Sequence, residues 1–157
     1  MNANGTISND CSSAPICTIK NGVLTAMISN VVYYYSTNPG VAYAQFVPAQ
    51  TPGSITTSFT ATSGGQLSWF NSQFYNGQAQ FCSLSNGTVY AVFQQDSAPS
   101  GCMYIQLSLF SVSSCAALAM GSGPSGPSGK SRGVVHLPTR LLLICRLVCN
   151  MTNYFLV

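Results

Sequence analysis

The sequence predicts an all-β fold, a small antiparallel sandwich or barrel-like domain, with a poorly ordered C-terminal tail. Three observations carry this: apolar and polar residues alternate with a period of two, turn-forming residues separate the alternating runs, and no stretch before Gly121 shows a helical period. Along the chain, Asn21-Gly22 is the first tight-turn signal. Pro39, Pro48 and Pro52 stand between apolar runs, where a missing amide donor does least damage to a strand ladder. Ile55 to Ala61 alternates and is followed by Gly64-Gly65 and then Leu67 to Phe70, which predicts a hairpin on a two-residue glycine turn. Asn86-Gly87 separates Gln80 to Leu84 from Thr88 to Phe93 and predicts a type I′ hairpin, because both residues tolerate positive φ. After Pro99, Met103, Ile105, Leu107 and Leu109 alternate with polar residues and predict one strand from Met103 to Phe110.

Only 4 % of the 157 residues are charged, and Glu is absent, against roughly a quarter in an ordinary soluble domain. The deficit is filled by uncharged polar groups, among them 22 Ser and 9 Gln. Asp10, Lys20 and Asp96 are the only charges before Gly129, while Lys130, Arg132, Arg140 and Arg146 all follow it. A nucleic-acid groove of clustered Lys and Arg is thereby excluded from the first 129 residues. The composition changes across Gly121 to Gly129, a run of small residues and prolines that reads as a linker. The predicted organisation is therefore a β-rich domain over 10–118, a linker over 119–129 and a tail over 130–157.

Cys11, Cys17, Cys82, Cys102 and Cys115 fall in the β-rich unit without the paired spacing of a zinc site. Disulfides are expected instead. The preferred pairing ties Cys102 to Cys115 at the two ends of the predicted last strand, with Cys11 or Cys17 reaching Cys82. Asn4-Gly5-Thr6 and Asn86-Gly87-Thr88 are N-glycosylation acceptor patterns, the second at a predicted hairpin tip. Both features point to an oxidising, extracellular setting.

The segments Ile55 to Phe59, Gly65 to Asn71, Gly77-Gln78-Ala79-Gln80-Phe81-Cys82 and Val89 to Phe93, closed by Cys102 and Cys115, carry a resemblance. Over roughly Asp10 to Cys115 the chain resembles an uncharacterised filamentous-fungal domain of unknown function. Trp69 and the Gly77 to Cys82 segment are its most specific parts. The resemblance implies a secreted or cell-surface glycoprotein with Ser/Thr/Pro-rich regions beside the domain, and it implies no reaction.

The termini read differently. Met1 to Thr6 has neither the basic region nor the apolar core of a signal peptide, so an extracellular reading expects a truncated start. In the tail, the apolar run Leu141 to Cys149 is interrupted by Arg146 and is too short for a bilayer span. A lipid-anchor signal after Gly121-Ser122-Gly123 is a second reading. Translated intron is the favoured one: Gly129-Lys130-Ser131 can encode a splice donor, Met151-Thr152-Asn153 a branch point and Leu156-Val157 an acceptor.

Catalytic chemistry finds few candidates. A Ser-His-Asp triad needs an imidazole, and the sole histidine, His136, lies in the tail. Two carboxylates, Asp10 and Asp96, are available for a glycosidase acid and base, although each has turn-forming neighbours. Cys145 and Cys149 lack further ligands nearby, and no cofactor is expected. Aromatic stacking on sugar rings is the remaining possibility, with Trp69 and Tyr75 as candidates and the amides of Gln73, Gln78 and Gln80 beside them. A lone Trp in a β-rich domain is more often core. Two functions are carried forward: a non-catalytic secreted or wall-associated glycoprotein module, structural or in weak contact with wall glycans or surface proteins, and a small extracellular polysaccharide hydrolase acting through Asp10 and Asp96.

Overall fold

The computed structural model describes residues 4–6 and 14–111, and in the tail the two-residue strand Leu143–Ile144. In chain order the strands are β1 (Ile16–Lys20), β2 (Val23–Ile28), β3 (Val31–Tyr34), β4 (Tyr43–Gln45), β5 (Phe59–Ala61), β6 (Leu67–Trp69), β7 (Gln80–Ser83), β8 (Val89–Val92), β9 (Met103–Ile105), β10 (Phe110–Ser111) and β11 (Leu143–Ile144). They form three antiparallel sheets with the orders β10-β11-β1-β2-β3, β4-β8-β7-β9 and β5-β6. The described residues are thus all-β, as the period-two patterning and turn spacing predict. Asp10, Cys11, Cys115, the linker 119–129 and the tail other than β11 lie outside them.

Turn chemistry shapes the first sheet. Asn21 and Gly22 both have positive φ, 53° and 75°, and Lys20 pairs with Val23, so a two-residue turn joins β1 to β2 with the twist an antiparallel ribbon favours. Ser29-Asn30 does the same between β2 and β3 with φ of 50° and 62° and no glycine. That turn escapes a search for glycine dipeptides, because Asn tolerates the left-handed region through its short polar side chain.

Three predicted elements are corrected. At Asn86-Gly87 only Gly87 is left-handed, with φ 82°. Leu84 donates to Thr88 O at 3.0 Å and Gly87 to Leu84 O at 2.9 Å, which makes Ser85-Asn86-Gly87 a three-residue loop instead of a type I′ turn. The β5–β6 hairpin likewise closes at Thr62 and Gln66 (3.0 Å), with Gly65 as the left-handed residue of a three-residue loop. The run Met103 to Phe110 is not one strand. Its first part, β9, pairs with β7, whereas Leu107 and Leu109 bond to β6 and Gly65, and β10 enters the first sheet. Across the break Ile105 packs against the same core that buries Leu107 and Leu109, while Met103 is exposed.

That core joins all three sheets: Cys17, Leu24 and Ala26 from the first, Phe81, Val89 and Ala91 from the second, and Phe59, Leu67 and Trp69 from the third. Aromatic rings dominate its centre. Trp69 stacks on Phe59 at 4.4 Å and meets Phe74 and Phe93 edge-on at 5.2 and 5.3 Å, the offset and T-shaped arrangements that ring quadrupoles favour. Its Nε1 donates to Thr57 O at 3.1 Å, so the indole is satisfied while buried. Tyr35, at the end of the Tyr33-Tyr34-Tyr35 run, is buried against Phe46. Its hydroxyl has no hydrogen-bond partner among the described residues, and burial pushes the phenol well above its ordinary pKa.

Candidate functional site

The site originates in a divergence of two strands. β7 and β9 are paired at Phe81 and Ile105, and beyond that pair they part. On the β7 side Ala79 donates to Trp69 O at 2.9 Å, at the C-terminal end of β6, while on the β9 side Leu107 O accepts from Leu67 N at 2.8 Å, at its N-terminal end. Isolated bridges Phe70↔Gln78 and Gln66↔Ser108 fix the two positions. The gap left between the separated segments is a groove of about 380 Å³, within the size range of small-molecule sites.

Its floor is apolar and buried: Leu67, Ala79, Phe81 and Leu107. Its rim is built from Gln66, Gln78, Gln80, Gln106 and Tyr104. Each glutamine offers a carbonyl acceptor and two N–H donors, which match hydroxyl groups that both donate and accept. Gln78 Nε2 donates to Ser68 Oγ at 3.5 Å. The Tyr104 side chain is 56 % exposed, the most exposed large hydrophobic residue of the described set. No lining residue carries a formal charge. An apolar floor, convergent amides and one exposed ring can hold a neutral, hydroxyl-rich molecule by hydrogen bonds and stacking.

The sequence candidates distribute unevenly around this groove. Gln78 and Gln80 line it, and Gln73 does not. Trp69 is corrected: at 1 % exposure, with ring neighbours on its face and edges, it is core and has no surface on which to receive a sugar. Tyr75 is exposed but stands outside the groove lining. Asp96 sits at φ 53° in an exposed turn, the left-handed position that Asp accepts readily, and it too is outside the lining; Asp10 lies outside the described residues. Gln66, Gln106 and Tyr104 also line the groove, and no motif in the sequence points to them. The available signal was the concentration of glutamines on both sides of β6 and at the break in the Met103 to Phe110 run.

The expected cysteine pairing is corrected as well. Cys82 and Cys102 are bonded to each other across 20 residues, with a Cα–Cα distance of 5.6 Å. Cys102 therefore does not pair with Cys115, nor Cys82 with Cys11 or Cys17. The reason is topological: β9 follows Cys102 directly and lies beside β7, where Ser83 pairs with Met103 and Cys82 with Tyr104. Cys17 is also disulfide-bonded. Asn4 and Asn86 are both exposed.

Among the described residues no group of three or more His, Cys, Asp or Glu side chains is placed to hold a metal ion, and no helix is long and apolar enough to cross a membrane. Residues 1–113 match a family described as a domain of unknown function, DUF7908, and the chain belongs to that family. No curated protein and no solved structure matches it.

Proposed function

We propose that the chain is a non-catalytic, secreted or wall-associated module, in the fungal setting its sequence resemblance implies, whose groove holds a neutral glycan. The observation that carries this reading is the groove between β7 and β9, with four glutamine amides and the exposed Tyr104 around an apolar floor. Amides and a phenol bind and orient hydroxyls. The oxidised cysteines support an extracellular site of action, since disulfides persist in oxidising compartments. The hydrolase alternative draws no support from the groove, whose lining includes neither Asp96 nor any other carboxylate.

The test is a glycan array followed by calorimetric titration with neutral wall-derived oligosaccharides. Binding that weakens about tenfold on Tyr104→Ala, the scale of one lost ring contact, and weakens again on Gln80→Ala supports the reading. No binding to any neutral glycan leaves a structural role. Substrate cleavage abolished by Asp96→Asn restores the hydrolase.

A further inference from the structure

The two acceptor patterns singled out from sequence are not absorbed by the groove, and the fold brings them together. Asn4-Gly5-Thr6 and Asn86-Gly87-Thr88 adopt the same local form. In each the glycine is left-handed, with φ of 78° and 82°, and the asparagine Oδ1 accepts from the backbone N–H of the threonine two residues on, at 3.3 Å for Thr6 and 2.9 Å for Thr88. Thr6 Oγ1 also donates to Asn4 Oδ1 at 2.8 Å.

The patterns, 82 residues apart in sequence, are joined by an antiparallel bridge between Thr6 and Thr88. Val89 N donates to Gly5 O at 3.0 Å, and Gln45 Nε2 donates to Asn4 O at 2.9 Å. Gly5 is buried in this seat, where any Cβ would meet the Val47 side chain. Docking thus fixes the backbone of the first pattern while leaving both asparagines exposed beside the β7–β8 loop. The groove lies at the other end of β7: Gln80 lines it, and Ser83 leads into the loop that carries Asn86. A separation on the order of 15 Å follows from the rise of about 3.3 Å per strand residue.

We infer that Asn4 and Asn86 form one paired N-glycan acceptor site, so that the folded protein carries two glycans side by side on the end opposite the groove. This goes beyond the glycan-binding reading and does not depend on it. The acceptor chemistry is transfer of an oligosaccharide from a lipid-linked pyrophosphate donor to the asparagine amide nitrogen. A C–N bond forms at the sugar anomeric carbon as its bond to the pyrophosphate oxygen breaks, the amide loses a proton, and the lipid pyrophosphate leaves.

The full chain is directed into the secretory lumen of a eukaryotic host by an added secretion signal, and the lumenal and secreted protein is pooled. Peptides are mapped by mass spectrometry with and without enzymatic glycan release. Mapping is needed because Asn150-Met151-Thr152 in the tail is a third acceptor pattern. The expected result is a glycan on both the Asn4 and the Asn86 peptides, with Asn4→Gln and Asn86→Gln each removing only its own. An unmodified asparagine at either position in the pooled protein overturns the inference. Oligosaccharide binding in the groove is expected to change less than twofold on glycan release. A large change also overturns the placement on opposite ends, whereas absence of binding with both glycans present counts against the groove reading alone.

Discussion

The dipeptide Asn-Gly occurs at two hairpin tips of this molecule and does different work in each. At Asn21-Gly22 both residues are left-handed and the turn is two residues long, whereas at Asn86-Gly87 only the glycine is left-handed and Ser85 lengthens the loop to three. The first tip is held down: Gly22 O accepts from Phe59 N at 2.7 Å, which fastens the first sheet to the third. Beside the second, the N-terminal segment docks through the Thr6–Thr88 bridge and the Val89 N to Gly5 O bond, and the asparagine, itself exposed, spends its side-chain oxygen on Thr88 N. Loop length and the neighbouring sheet, not the dipeptide, decide whether an Asn-Gly tip becomes a packing contact or an exposed acceptor.

The largest effect that would sharpen this contrast lies at the β5–β6 loop, which shares the three-residue geometry of the second tip. Gly65 is left-handed and its Cβ position coincides with the Leu109 carbonyl, whose own N–H donates to Gly65 O at 2.7 Å. Gly65→Ala is expected to cost about 3 kcal/mol, combining left-handed strain with overpacking, read as a lower urea midpoint. Next come the two tips themselves. Gly22→Ala places a Cβ 3.4 Å from Ser58 Cα at φ 75° and is expected to cost about 2 kcal/mol, against about 1 kcal/mol for the left-handed strain of Gly87→Ala at φ 82°. Equal costs would break the distinction between a tip packed on the third sheet and one whose asparagine is exposed.

Deleting Ser85 is a smaller perturbation. It leaves Asn86-Gly87 as a two-residue connection between Leu84 and Thr88, a length for which the dipeptide is well suited, and is expected to cost less than about 1 kcal/mol with the hairpin intact. Loss of the hairpin's amide protection from hydrogen exchange would show that the longer loop is required. The smallest effect has the opposite sign. Asn30→Gly relieves a left-handed non-glycine residue, φ 62°, and is expected to stabilise by about 0.5 kcal/mol after the entropy that glycine adds to the unfolded chain is counted; thermal melting reads it directly.

These cases also show what was legible in the sequence. The fold class was, because period-two alternation reports which face of a strand is buried. The partner of a strand was not. Leu107 and Leu109 continue the sequence alternation of Met103 and Ile105 although the chain changes sheets between them and Met103 is exposed, so no break is visible. The disulfide follows from the adjacency of β7 and β9, information that cysteine spacing does not contain. The groove was half-legible: Gln78 and Gln80 share a segment, but Gln66 and Gln106 join them only because two paired strands part around β6. Trp69, the residue most suggestive of sugar stacking, is spent on the core that holds those strands apart.

The change of sheet after β9 has a mechanical consequence. Tension applied to the chain beyond Ser111 loads the Leu109–Gly65 and Leu67–Leu107 hydrogen bonds before any bond of β9. Once those yield and β9 strips from β7, the pull reaches Cys102, and the covalent link to Cys82 carries it past the enclosed hairpin. The loop bearing Asn86 is therefore spared, because it lies between the two cysteines and outside the loaded path, and the pull passes on to Phe81 and Gln80, whose pairs in β8 are the next to be loaded.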